Sequence, residues 1–380
     1  MTITLSIPES LKPEDGRFGS GPSKIRPEQI AALDAGATTL LGTSHRQAPV
    51  KQLVASIREG LREFFHLPEG YEVALGNGGA SAFWEIACAS LITRRAAFGT
   101  YGSFSAKFAA SAANAPFLED PVLFPGEPGT YRLPELIKGV DTYCWAHNET
   151  STGVAAPIRR VAGSREAGAL TVIDGTSAAG ALPVDISQTD VYYFSPQKAF
   201  GADGGLWVAI LSPEAIDRAA GVESSAHLEG AHRWVPPFLS LTTALNNSRK
   251  DQTLNTPAVA TLIMMENQIR WLNNNGGLAW ATTRCAKSAS ILYSWAERSE
   301  YAAPFVVDAD ARSNAVVTID LDERVQASQV LSILRENGIV DAAGYRKLGR
   351  NQLRVGVFPS VEPADVMAFT KCVDYVVEHL

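Results

Sequence analysis

No apolar run in this sequence approaches the ~18 residues that a membrane-crossing helix needs, so no membrane span is expected. Positive charge is short: 33 Lys and Arg stand against 40 Asp and Glu, a formal charge of −7. That balance argues against nucleic acid or an anionic membrane as the main partner. It leaves a small anionic ligand open, because local basic residues decide that. Cysteine is scarce, with Cys88, Cys144, Cys285 and Cys372 far apart and no CxxC pair. Such thiols are expected to be reduced and mostly buried, which suits a cytosolic compartment. The six histidines are scattered, and neither HExxH nor a Cys/His cluster occurs, so no metal site is expected. There is no GxSxG nucleophile elbow, no internal repeat and no low-complexity tract. Met1 to Pro8 lack a basic stretch followed by an apolar one, so no signal peptide is expected.

What is present is an apolar-rich globular composition. Hydrophobic residues make up 46% of the 380, enough for a large core, and the length suits two domains or one large domain with a lobe. Short apolar runs at Glu72–Leu75, Ala96–Phe98, Thr142–Trp145, Leu170–Ile173, Val191–Phe194 and Leu206–Leu211 read as strands. Between them, helical spacing predicts helices at Ala80–Ile92, Ser105–Ala113 and Pro134–Gly139, after a first long helix within Val50–Leu67. Strand–helix alternation predicts an α/β fold with a mostly parallel sheet covered on both faces. The pattern turns helical from Thr256 to about Ala296, with a break at Asn273–Gly277. A strand, helix, strand, helix series closes the chain. The expected organisation is an N-terminal arm over residues 1–20, a large domain over 21–275 and a small α+β domain over 276–380.

In parallel sheets, ligands sit beyond the carboxyl ends of the strands. Asn77, Asn148, Asp174 and Lys198 all fall just after predicted strand ends, so they can converge on one crevice. Lys198 follows an apolar strand and precedes a glycine-rich turn. Desolvation there lowers an ammonium pKa and makes the amine a usable nucleophile toward a carbonyl. A lysine beside a strand-end carboxylate is the pair that a pyridoxal phosphate enzyme uses. An N-cap aspartate and a solvated lysine would read the same way without a cofactor.

Anion sites are the next signal. Gly76-Asn-Gly-Gly-Ala-Ser81 follows a strand and opens a helix, where free N–H groups and the helix dipole suit a phosphate. It is neither GxGxxG nor a P-loop, and an ordinary tight turn fits it too. Asn255-Thr-Pro257 reads as a second helix start, with Thr256 as N-cap and Pro257 in the first turn. His45-Arg46 lies in a loop and can offer several donors to a phosphate or carboxylate, as can Arg346 in the cationic stretch Tyr345–Arg354. Arg354 starts an apolar strand, so it needs an anionic partner, either an internal carboxylate or a substrate. Phe104 follows a strand end and can stack on a planar ring.

Taken together, the segments Arg17–Lys24, Gly42–Lys51, Gly76–Ala80, Trp145–Gly153, Val172–Ser177, Ser195–Lys198, Asn255–Pro257 and Tyr345–Arg354 carry a resemblance that runs nearly end to end. The chain resembles the fold-type I, class V pyridoxal phosphate aminotransferases, and within them the phosphoserine aminotransferases of actinobacterial type. The resemblance implies a seven-stranded, mostly parallel sheet domain with a smaller C-terminal α+β domain. It implies pyridoxal 5′-phosphate as cofactor. Lys198 would bond its aldehyde carbon and later shuttle a proton, and Asp174 would pair with its ring nitrogen. Ala80, Ser81 and Gln197 would hold its phosphate, Thr150 would face its phenolic oxygen and Phe104 would stack on its ring, where many relatives carry tryptophan. Asn255 and Thr256 would reach the phosphate from a second subunit, giving a homodimer with shared sites. Arg354 would clamp the substrate α-carboxylate. His45, Arg46 and Arg346 would bind the phosphate of phosphoserine or the side-chain carboxylate of glutamate.

The implied reaction is L-glutamate plus 3-phosphohydroxypyruvate giving 2-oxoglutarate plus O-phospho-L-serine, in serine biosynthesis. Relatives also act on 4-phosphohydroxythreonine in pyridoxine biosynthesis. The competing readings are an alanine–glyoxylate-type aminotransferase, a cysteine desulfurase, a catalytically dead scaffold on the same fold and a cofactor-free lyase using Lys198. A desulfurase needs a nucleophilic cysteine in a mobile loop, and none of the four cysteines lies in a Gly/Ser-rich loop.

Overall fold

The computed structural model describes residues 5–226 and 233–380. Its centre is a seven-stranded sheet of β1 (Glu72–Asn77), β2 (Ala96–Thr100), β3 (Val122–Pro125), β4 (Thr142–Ala146), β7 (Leu170–Asp174), β8 (Val191–Phe194) and β9 (Leu206–Leu211). The strand order is β1-β9-β8-β7-β4-β2-β3. Only β9 runs against its neighbours, β1 and β8. The two-residue strands β5 (Asn148–Glu149) and β6 (Val154–Ala155) form a small ribbon beyond β4. The inner strands β4, β7, β8 and β9 are buried along their whole length, as expected when helices cover both faces.

Ten α-helices occur among the described residues. They are α1 (Pro27–Gly36), α2 (Ala48–Phe64), α3 (Ala80–Ser90), α4 (Ser103–Asn114), α5 (Pro213–Ser225), α6 (Leu241–Ser248), α7 (Val259–Asn274), α8 (Gly277–Arg298), α9 (Ala327–Glu336) and α10 (Pro363–Glu378). Helix α2 shows how the sequence directs this packing. Val50, Val54, Ile57, Leu61 and Phe64 recur at helical spacing, and all five are buried. Each such side chain contributes about 1.5–3 kcal/mol of burial. Helices α3, α4 and α5 pack on the other face, where Phe83, Phe108, Tyr193 and Trp207 form one aromatic cluster.

A second, three-stranded antiparallel sheet joins β10 (Ala302–Pro304), β11 (Val316–Leu321) and β12 (Gln352–Gly356). It shares a separate core with α8, α9 and α10. The N-terminal arm enters this second core through Ile7 and Phe18. Lys24 then ties the arm to α10, between Asp15 at 3.5 Å and Asp365 at 3.6 Å.

Three local expectations are corrected. No helix forms at Pro134–Gly139. The Ile137 N–H donates instead to the Tyr143 hydroxyl at 3.0 Å, and Leu133 and Ile137 pack singly onto the core. The helix near Thr256 starts later, at Val259 with Ala258 as its cap. Thr256 is drawn away: its hydroxyl meets His45 Nδ1 at 3.2 Å, and its carbonyl accepts from Asn77 Nδ2 at 3.1 Å. Strand β3 was not expected from the apolar pattern. It is a short edge strand whose Leu123 is half exposed, so it lacks the continuous apolar run of the inner strands.

Candidate active site

The carboxyl ends of the parallel strands meet at a cavity of about 350 Å³. That volume suits a small cofactor or ligand. Its walls include Gly21, Gly79, Ala80, Ser81, Trp84, Phe104, Asn148, Thr150, Asp174, Thr176, Gln197 and Lys198. The topology explains this gathering. Strand β1 delivers the Gly78–Ser81 turn, β2 leads into Phe104, β4 into Asn148 and Thr150, β7 ends on Asp174, and β8 leads into Gln197 and Lys198.

Lys198 is buried, and its Nζ donates to the Ser20 carbonyl at 2.5 Å. Burial lowers its pKa to about 8. The nearby Arg354 cation pushes the same way, while Asp174 and Glu149 pull back. Asp174 is buried too. Its Oδ1 accepts from the Thr176 N–H at 2.8 Å, and its Oδ2 from the Trp84 indole N–H at 3.4 Å. Trp84 and Tyr193 pack against that carboxylate, so it is walled by aromatics on one side and opens to the cavity on the other.

The opposite end of the cavity is an anion cradle. Gly78 and Gly79 hold φ of 120° and 79°, a turn that glycine enters at no steric cost. The turn leaves the first N–H groups of α3 uncapped by any side chain. Ser81 adds an exposed hydroxyl in that first turn. Around the rim, Asn148 Oδ1, Thr176 Oγ1 and Gln197 Oε1 are buried without a protein partner. Each orphaned polar group costs about 1–3 kcal/mol unless a ligand meets it. A polar ring with an anionic arm fits these donors and acceptors: phosphate at the α3 turn, a ring nitrogen at Asp174 and an aldehyde carbon at Lys198. On that ground the residues present fit pyridoxal phosphate.

Thr150 is fixed from both sides. Its hydroxyl donates to Ser177 Oγ at 2.7 Å, and its carbonyl accepts from Arg354 Nη1 at 3.1 Å. Arg354 enters from β12, and burial lowers its pKa. Of the two partners expected for it, no internal carboxylate bridges it among the described residues. Its buried Nε is left without an acceptor. Arg350 in the same cationic stretch is instead paired with Asp320, and Arg346 is exposed.

Six of the expected site residues are not among the residues that line this cavity; of them Arg354 stands next to it, on the carbonyl of the lining residue Thr150. Arg346 stands in a short 3₁₀ turn, Arg346–Leu348. His45, Arg46, Asn255 and Thr256 gather beside Asn77, at the base of the α3 turn. Arg46 donates to Gln252 at 3.0 Å, and the buried Nε2 of His45 has no partner. Burial, with Arg46 adding to it, lowers the His45 pKa. Three contributors were missed in the sequence. Ser20 and Gly21 reach the site from far along the chain and meet Lys198. Trp84 looks like one more apolar residue of an amphipathic helix, and only the spacing of Ala80 and Ser81 before it hinted at its place.

The family described as aminotransferase class-V matches residues 18–348. A chain from Mycobacterium leprae (strain TN) is 57% identical over 380 residues, covering 100% of this chain and 99% of its own. A phosphoserine aminotransferase from Rhodococcus opacus (strain B4) is 56% identical over 380 residues, covering 100% of both chains. Among solved structures, a phosphoserine aminotransferase from Cytophaga hutchinsonii superposes with a TM-score of 0.82 at 21% identity, covering 95% of this chain and 99% of that one. A pyridoxamine–pyruvate aminotransferase from Mesorhizobium loti gives 0.81 at 18% identity, covering 99% and 94%. At such identities the superpositions establish the fold, and both enzymes share it.

Proposed function

Because the chain belongs to the class-V aminotransferases, a family that works with pyridoxal phosphate, we propose that it moves the amino group between L-glutamate and 3-phosphohydroxypyruvate, giving 2-oxoglutarate and O-phospho-L-serine. The observation that carries this reading is one cavity in which a buried amine of lowered pKa, a buried carboxylate and an uncapped helix start face each other. The full-length likeness to a phosphoserine aminotransferase supplies the substrate class. The desulfurase alternative loses ground on the cysteines. All four are buried, and burial raises their thiols, Cys88 and Cys285 to about 12 and Cys372 to about 11. Buried free thiols also suit the cytoplasm, and no helix among the described residues is long and apolar enough to cross a membrane.

When bound, pyridoxal phosphate supplies an electron-withdrawing ring and an aldehyde that accepts and returns the amino group. The chain does the rest. Lys198, its pKa lowered to about 8, is neutral in a larger share near physiological pH than an ordinary lysine, and its Nζ would take and return a proton. Asp174 would pair with the ring nitrogen, a carboxylate there favouring its protonated form. Ala80, Ser81 and Gln197 would hold the phosphate, Phe104 would stack on the ring and Thr150 would face its phenolic oxygen. Arg354 orients the substrate α-carboxylate with a planar fork of donors. We assign His45, Arg46, Asn255 and Thr256 to the site of a second copy in a homodimer, since they form one donor cluster beside the α3 turn but do not line their own chain's cavity. There Asn255 and Thr256 would reach the cofactor phosphate, while His45 and Arg46, with Arg346, would meet the phosphate of phosphoserine and the side-chain carboxylate of glutamate in turn.

Two results are expected. Wild-type enzyme should prefer O-phospho-L-serine over L-serine by at least about a hundredfold in kcat/KM, because donors built for an anion are left unpaired by a hydroxyl. A substrate panel that includes glutamate and 4-phosphohydroxythreonine, read by the cofactor's absorption change, measures this; equal use of serine contradicts the reading. Second, the apoprotein should take up pyridoxal phosphate faster as pH rises, with a midpoint near 8. Only the neutral amine attacks, and Lys198 loses its proton there. Arg354→Leu removes a repelling cation and should move that midpoint upward. Stopped-flow absorbance against pH reads both, and a midpoint in the ordinary lysine range would contradict the assigned burial.

A further inference from the structure

Tyr345 lies on the loop before β12, and neither its apolar bulk nor its position in a cationic stretch explains its surroundings. The Arg354 guanidinium stands over the Tyr345 ring, 5.4 Å from its centroid. On its other side Tyr345 meets Phe104, centroids 5.9 Å apart and planes tilted by 53°. Phe104 lines the cavity and opens α4, on the large sheet, while Arg354 belongs to β12 of the small sheet. Lys107 caps the far side, with Nζ 5.2 Å from the Phe104 centroid. The ring of Tyr345 is therefore the link between Phe104, which lines the cavity, and the arginine that stands beside it on the Thr150 carbonyl.

We propose that Tyr345 is a positioning residue that holds the Arg354 fork for the α-carboxylate of the amino donor. The proposal rests on Arg354 as the carboxylate clamp. An arginine has many rotamers, and among the described residues only one nitrogen here, Nη1, is fixed by the protein, at the Thr150 carbonyl. One hydrogen bond lets the guanidinium plane turn about it. A π face against that plane removes this freedom and leaves the remaining donors free for a ligand. The buried, unpaired Nε of Arg354 is one such donor. Tyr345 touches no reacting atom, so its effect runs through substrate binding.

The test compares Tyr345→Phe, which keeps the π face, with Tyr345→Leu, which keeps apolar bulk alone. Tyr345→Leu should raise KM for L-glutamate and for O-phospho-L-serine by the same factor, about tenfold. Its kcat and its cofactor absorption should stay near wild type, because only the donors' shared α-carboxylate is affected. Tyr345→Phe should behave as wild type. Calorimetry of glutarate binding to the holoenzyme should show the same tenfold weakening in Tyr345→Leu without any turnover. In an Arg354→Ala background, Tyr345→Leu should be silent, since the two act as a unit. Unchanged glutarate affinity in Tyr345→Leu, an equal loss in Tyr345→Phe, or a full effect without Arg354 would each overturn the proposal. A wild-type enzyme that transaminates glutamate but ignores phosphoserine would sink the substrate assignment alone, and the Tyr345 comparison would still be read on glutamate and glutarate.

Discussion

Lys198→Ala is expected to lower kcat by about 10⁴-fold or more while the variant still binds pyridoxal phosphate. The amine has two tasks at one position: attachment of the cofactor and proton transfer. No other lysine lines the cavity, so nothing nearby can take over either task. Cofactor binding should survive because the α3 turn, Gln197, Thr150 and Asp174 are untouched. The loss in stability should be small. The lysine is desolvated, its pKa is lowered by burial, and its one protein bond is to the Ser20 carbonyl. Circular dichroism and cofactor titration separate these outcomes, and normal turnover by a folded variant refutes the role.

Gly21→Ala should be the next most damaging change, although Gly21 carries no chemistry. Gly21 has φ of 128°, a conformation that L side chains rarely adopt. A Cβ there would sit 2.1 Å from Lys198 Nζ and 2.4 Å from its Cε. The lysine end is flexible, so the clash is relieved by pushing the amine away from Ser20 and off its working position. A displacement of about 1 Å at a reacting group costs on the order of 10²-fold in rate. The backbone strain adds a loss of stability of about 1–3 kcal/mol. The expected result is a folded protein with kcat reduced about a hundredfold and slower cofactor uptake. Steady-state kinetics beside thermal melting checks it. A variant that loses stability but keeps wild-type kcat would show that the arm merely covers the lysine.

How much of this could be read from the chain follows from the range of each interaction. The inner strands were legible because they are buried on both faces and therefore apolar throughout, as Val191–Phe194 and Leu206–Leu211 are. Lys198 and Asp174 were legible because Asp174 closes such a run and Lys198 comes four residues after the end of one. The edge strand Val122–Pro125 was not, since one side faces solvent and its apolar pattern is broken. Thr256 was misread as a cap because its hydroxyl has a better partner in His45, 211 residues away. Ser20 acts on Lys198 across 178 residues, with Gly21 next to it, and Arg354 reaches Thr150 across 204. Propensity and spacing carry no information at that range. The same holds for Trp84, whose indole reaches Asp174 from a helix that reads as plain core packing. Local chemistry thus pointed to the reacting groups, while the residues that position them emerged only from the fold.

The most direct measurement is hydride trapping of the purified holoenzyme followed by tryptic mapping. Borohydride should abolish the visible absorption and fix the cofactor to the Lys198 amine. Trypsin does not cut at a modified lysine, so the labelled peptide should run uncut through position 198, from Glu166 to Arg218. An unlabelled peptide ending at Lys198, or a label on any other lysine, would contradict the account.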